Sequence, residues 1–181
     1  MNVLFVFALT TEIPDGKKFP HAHIFTGVGK INAATELALA IALSRPDLVI
    51  NYGSAGAMKG ATGLVRCGTF IEMDMNVEAL GFAPHVCPSD STPFPLTFGE
   101  GAVCGTADKF VTSKYPDHYA DVDVVDMEAF ALAKVCHKLG TKFVSYKYIS
   151  DNADGESASV WEENQAKGYE LFMDVVNKMG L

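Results

Sequence analysis

Five apolar, β-rich runs punctuate the chain: VLFVFAL (3–9), DLVINY (47–52), TFIEMDM (69–75), VDVVDM (122–127) and KFVSYKYIS (142–150). Several are almost continuously hydrophobic, the pattern of strands covered on both faces. Between them, INAATELALAIALS (31–44) has helix-forming composition and halts at Arg45-Pro46, and MEAFALAKVCHKLG (127–140) carries Lys138 in its last turn ahead of Gly140, as helix C-termini do. Ser159 and Glu162 fit a capping box for a last helix, along which Tyr169, Phe172, Val175, Val176 and Met179 repeat on one face. Strands alternating with helices through short Gly-rich joints predict an α/β domain with a mostly parallel sheet. The stretch 83–101, interrupted by Pro84, Pro88, Pro93 and Pro95, reads as a long loop of the kind that binds ligands. There is no internal repeat or low-complexity tract, so residues 1–181 are read as one domain.

Composition narrows the function classes. With 181 residues, 49% of them hydrophobic, the chain is long enough to build a sizeable core. A net charge of -8 with only 14 dispersed Lys and Arg residues argues against a phosphate-backbone reader, and hence against DNA or RNA partners. Cys67, Cys87, Cys104 and Cys136 form no CxxC pair, which favours reduced thiols in a cytosolic protein over disulfides or zinc. The opening MNVLFVFAL has no basic segment before its apolar run, and LALAIAL (37–43) is too short to span a bilayer, so the expected location is cytoplasmic.

In open α/β sheets ligands bind beyond the carboxyl ends of the strands. Four such points carry polar chemistry: Glu12 after the first strand, Gly53, Ser54 and Gly56 in GSAGA after the second, Asp126, Met127 and Glu128 after VDVV, and Ser150 and Asp151 in SDNADG. Taken singly, Asp126 and Glu128 could serve the helix dipole, Asp151 a turn, and Glu12 a solvated loop. Their shared position at strand ends points instead to carboxylates converging on one site. TGVGKIN (26–32) fails both the Walker spacing and GxGxxG, where Asn32 takes the third Gly position, and reads as a tight strand-to-helix turn. His21 and His23 would share a strand face but have no evident third metal ligand.

Taken in order, Glu12, GVGKINAA, PDLVINYGSAGA, VVDMEAFALAKVCHKLG and YISDNADG resemble the nucleoside phosphorylase and hydrolase superfamily, and within it most closely the methylthioadenosine/S-adenosylhomocysteine nucleosidases. The resemblance implies a three-layer α/β/α sandwich around a mixed, mostly parallel sheet, and cleavage of a purine N-glycosidic bond by a homodimer without metal or organic cofactor. It implies Asp151 as the acid that protonates the purine at N7, Glu12 as the base that activates water, and Glu128 as the carboxylate that binds the ribose hydroxyls. Met127 would line the sugar pocket, Phe110 and Val111 would hold the purine, and Ser54 and Gly56 fall in the matching GSAG turn. NVEALGF (76–82) resembles the segment that helps close a neighbouring subunit's pocket, with Val77 and Leu80 as contacts.

The chemistry fits these residue types. Glycosidic cleavage builds positive charge on the ribose, which a carboxylate stabilises, while a proton given to the base improves the leaving group. Asp151 is expected to be the buried carboxyl that keeps its proton, Glu12 to be ionised, and Glu128 to stay ionised at the N-terminus of its helix. The chain departs from the family in a shortened segment before GVGK, in Asp126 where Glu is common, and in Lys147 where Arg is common. Two rivals remain: a purine nucleoside phosphorylase, which needs cations for phosphate although only Arg45 and Arg66 are arginines, and a noncatalytic nucleoside-binding protein.

Overall fold

The computed structural model describes residues 1–111, 121–154 and 157–181. Along these the order is β1 (Val3–Phe7), β2 (His23–Phe25), α1 (Lys30–Ser44), β3 (Leu48–Ala57), β4 (Leu64–Glu72), β5 (Leu96–Thr97), β6 (Ala102–Thr106), β7 (Val124–Asp126), α2 (Ala129–Leu139), β8 (Lys142–Asp151), α3 (Ser157–Asn164) and α4 (Tyr169–Lys178), with single 3₁₀ turns at Thr10–Glu12 and Glu78–Leu80.

Strand alternation sets the layers. Successive side chains of a strand face opposite ways, so Leu4, Val6 and Val49 join Leu37 and Ile41 of α1 and Leu132 and Cys136 of α2 in one core. Phe5, Phe7, Ile50 and Tyr52 join Tyr169, Phe172 and Val176 of α4 in another. The α/β/α sandwich follows from a mixed sheet that is apolar on both faces.

β3 is the spine. It pairs in parallel with β1 and β8, and at its far end Gly56 and Ala57 pair antiparallel with Val125 and Val124 of β7. Because β7 joins β6, β6 joins β4, and β4 joins β8, these five strands return on themselves in a closed ring. Closure curls the ends of β3, β7 and β8 together.

Both predicted central helices are present. α1 ends at Arg45 in the left-handed conformation (φ 46°), and α2 ends at Gly140 (φ 68°). TGVGKIN is the turn from β2 into α1, with Gly27 and Gly29 at φ 76° and 96°. Other boundaries differ from expectation. GSAGA lies within β3 rather than in an exit turn, the predicted 69–75 strand runs from Leu64 to Glu72, β2 begins at His23 and so leaves His21 outside the strand expected to carry both histidines, and β5 and β6 carried too little apolar signal to be anticipated. The long loop contains β5, whose Leu96 is buried. The last helix is two helices. Gly168 lies between them against the Tyr148 ring, where no Cβ would fit, and Ser159 sits inside α3 instead of capping it. The start of α3 is held by Ser157, whose Oγ accepts the Asp154 N–H at 2.6 Å.

Phe172 is fully buried, stacked on Tyr52 at 4.4 Å and set edge-on to Phe5 and Phe7. Phe172→Ala should therefore cost about 3–5 kcal/mol of stability, measured by urea unfolding, through loss of transfer energy and the cavity left behind.

Candidate active site

The pocket is built on a buried ion pair. Lys147, in β8, is 1% exposed, and its Nζ lies 2.8 Å from Asp126 Oδ2 at the end of β7. Burial alone would lower the ammonium's pKa, but the charge of Asp126 together with neighbouring groups raises it, so Lys147 stays cationic. Asp126 also accepts the Ala129 N–H at 2.8 Å and the Thr106 hydroxyl at 2.6 Å, and Thr106 Oγ1 in turn accepts the Phe130 N–H at 2.9 Å. One carboxylate thus fixes the start of α2 against β6 and β8.

Glu12 is held from the other side. The 3₁₀ turn folds its carboxylate back so that Oε2 accepts the N–H groups of Ala8 (2.9 Å) and Leu9 (3.1 Å), while Oε1 accepts that of Ser54 (3.2 Å). Gly53 makes this approach feasible: a Cβ there would stand 2.9 Å from Glu12 Oε1 and 3.2 Å from Lys147 Nζ. Burial raises the Glu12 carboxyl above its ordinary value, against the lowering pull of Lys147 and the three amides.

Glu128 directly precedes α2, yet its side chain does not cap the helix. It crosses to α1, where the Gly29 N–H donates to Oε1 at 2.9 Å. Burial first, and then the charge of Asp126, pushes Glu128 up to about 8, outweighing Lys147 and the Gly29 amide. The expectation of a carboxylate kept ionised by a helix N-terminus is therefore overturned: Asp126 takes the helix amide, and Glu128 is left in a desolvated pocket beside a like charge. Burial does not set Asp151 apart from Glu12, because both are buried. Asp151 accepts the Ser150 hydroxyl at 2.8 Å and the Ala153 N–H at 2.9 Å. A Cβ on Gly56 would stand 2.9 Å from Asp151 Oδ1, so the second glycine of GSAGA gives Asp151 its space as Gly53 does for Glu12.

A single cavity is lined by every residue singled out from the sequence for catalysis or substrate: Glu12, Ser54, Gly56, Phe110, Val111, Met127, Glu128 and Asp151. Val111 is buried, and Phe110, 39% exposed, stands at the mouth. The same cavity is lined by Ser150, one of the strand-end residues noted from the sequence, and by Trp161, which the sequence did not mark as part of the site. The indole N–H of Trp161 donates to Ser54 Oγ at 2.9 Å, and its ring meets Phe110 edge-on at 6.2 Å. Trp161 is the chain's one tryptophan, and an indole that must find a partner for its N–H was the available signal. Val77 and Leu80 lie outside this cavity, and Leu80 is 72% exposed, so it belongs to no core of its own chain. His23 packs among Phe7, Phe19 and Phe25.

A model of the phosphorylase superfamily matches residues 95–179. A 5′-methylthioadenosine/S-adenosylhomocysteine nucleosidase of Haemophilus ducreyi is 31% identical over 162 residues, covering 76% of this chain and 70% of that protein. The chain belongs to this nucleosidase family. A nucleosidase of the same name from Neisseria meningitidis, solved with methylthio-immucillin-A, is 26% identical with a TM-score of 0.78 over 92% of each chain. A mutant Helicobacter pylori nucleosidase, solved with 5′-methylthioadenosine in its active site, reaches a TM-score of 0.85 over 98% of each chain at 16% identity, a likeness of fold alone. No helix among the described residues is long and apolar enough to cross a membrane.

The raised Glu128 pKa has a measurable sign. The stability that comes from keeping this proton is fully present below the ordinary glutamate value of 4.5 and is lost as pH rises through about 8. Glu128→Gln, which cannot titrate, should flatten the decline of unfolding free energy across that window, read by urea unfolding at a series of pH values. An unaltered slope would mean that Glu128 titrates normally.

Proposed function

We propose that the chain hydrolyses the N-glycosidic bond of a purine nucleoside of the 5′-methylthioadenosine or S-adenosylhomocysteine class, releasing free base and the ribose derivative. The observation that carries this reading is the convergence of Glu12, Glu128 and Asp151 on one cavity. Asp151 passes a proton to the purine N7 as the C1′–N9 bond breaks and its electron pair leaves with the base. Glu12 takes a proton from the attacking water. Its elevated pKa makes it a stronger base than an ordinary carboxylate, and its three amide contacts fix its direction. Glu128 hydrogen-bonds the ribose hydroxyls, Met127 lies along the sugar, and Phe110 and Val111 flank the base.

Water is favoured over phosphate as the acceptor. Glu12, Asp126, Glu128 and Asp151 all line the cavity, where Lys109 stands against these four acids, whereas Arg45 and Arg66 are exposed elsewhere and Lys147 is committed to Asp126. A phosphate dianion would meet mainly carboxyl groups.

The active form is read as a cytoplasmic homodimer. α1 is apolar nearly all round, with Leu37 and Ile41 buried in its own core while Ile31, Leu39 and Leu43 are 80%, 56% and 88% exposed. A helix apolar on every side is one covered on every side, and exposed Leu80 adds to the surface available to a second copy. Sedimentation at micromolar concentration should give a dimer, and a monomer would overturn this part of the reading.

Purified protein should release base from 5′-methylthioadenosine in phosphate-free buffer. Asp151→Asn and Glu12→Gln should each lower turnover by about 10²–10⁴-fold with the melting temperature little changed, as loss of general acid or base assistance does. Strict dependence on phosphate would assign a phosphorylase, and Asp151→Asn at the parent rate would make Asp151 a structural turn residue.

A further inference from the structure

Outside the cavity, Lys30 lies at the centre of a charge cluster that no step of the chemistry uses. Its Nζ is 2.6 Å from Glu72 Oε1 at the end of β4, 2.7 Å from Asp74 Oδ2 in the following loop, and 3.5 Å from Asp108 Oδ2 in the loop after β6. Backbone amides close the same network. The Lys30 N–H donates to Asp108 Oδ1 at 2.8 Å, the Asp108 N–H donates to Asp74 Oδ2, and the Asp74 N–H donates to Glu72 Oε1 at 3.1 Å. The preceding residue, Gly29, donates its N–H to Glu128 inside the cavity.

Lys30, Glu72, Asp74 and Asp108 do not line the cavity, but Val28, Lys109, Phe110 and Val111 do. The cluster therefore grips the segments that carry the pocket wall, two residues before Phe110 and two after Val28. Three carboxylates around one ammonium repel one another once the cation is removed, and Asp108 is the member free to move outward, its side chain being 46% exposed against 14% for Glu72. Burial would raise the Asp74 carboxyl, yet the hydrogen bond and charge of Lys30 hold it below its usual value.

We propose that Lys30 is a positioning residue: acting through Asp108, it holds the segment bearing Phe110 and Val111 at the distance from Glu128 that a purine nucleoside requires. The proposal rests on the functional reading above for the identity of the ligand. It assigns Lys30 to ground-state binding of the base and leaves proton transfer to Glu12 and Asp151.

The test uses the full chain and two readouts: steady-state cleavage of 5′-methylthioadenosine, and calorimetric binding of adenine. Lys30→Met should raise KM and the adenine Kd about 10-fold or more while changing kcat less than about 3-fold, because the loss is in binding rather than in the chemical step. Lys30→Arg, which keeps a multidentate cation, should restore both. Asp108→Asn, which keeps the acceptor for the Lys30 N–H but removes the charge, should show the same split with a near-parental melting temperature, so the proposal stays testable if Lys30→Met does not fold. Parental KM and adenine affinity in a folded Lys30→Met or Asp108→Asn variant would overturn it, as would a loss confined to kcat. If the parent binds adenine but cleaves nothing, the hydrolase reading fails and the adenine affinities alone decide the role of Lys30. A parent that binds no adenine overturns both.

Discussion

The Lys147–Asp126 pair is the interaction on which the pocket depends. An ammonium taken fully out of water is strongly unfavourable unless paired, and removing one partner of such a pair typically costs about 3–5 kcal/mol because the other charge is stranded. Here the pair also has structural work. Asp126 fastens the first amide of α2 and, through Thr106, the second. That anchoring places Glu128 directly before the helix and turns it toward Gly29. Lys147 in turn lowers the proton affinity of both Glu12 and Glu128, though burial outweighs it in each. Without the ammonium, three neighbouring carboxyls would share one desolvated space uncompensated.

The second constraint is steric. β3 runs straight through the site, and its two glycines are the places where the proposed catalytic carboxyls come to rest, Glu12 beside Gly53 and Asp151 beside Gly56. A side chain at either position would overlap a carboxylate oxygen. The pattern GSAGA is therefore shaped by the neighbours of the strand rather than by a turn, and Ser54, directly after the first glycine, contributes an amide to Glu12 and a hydroxyl to Trp161. Ring closure brings these groups together, because in a flat, open sheet β8 could not pair with both β3 and β4 while β7 and β6 also link those two strands.

Much of this was legible before the structure. Long apolar runs pointed to β1, β3 and β8, and helix-forming composition with a stop, Arg45-Pro46 for α1 and Gly140 for α2, pointed to the two central helices, because burial on one or two faces leaves a periodic trace in the residues themselves. The carboxyls at strand ends were identifiable as a group because chain connectivity in an α/β fold sends strand ends to one edge. What stayed hidden were short elements such as β5 and β6, whose pairing comes from neighbours distant in sequence, and the break between α3 and α4, which depends on the packing of Gly168 against Tyr148.

The sequence by itself determined which residues could do chemistry: acids, glycines and the adjacent Phe110 and Val111 in a fixed order along an alternating chain. Only the tertiary structure decided their states. Whether Glu128 is ionised depends on its burial and the nearness of Asp126, whether Lys147 is tolerable depends on a carboxylate 21 positions earlier in the chain, and whether Trp161 of α3 belongs to the site depends on a serine in β3. Proton affinity and partnership are properties of surroundings, and the surroundings exist only once the strands have closed.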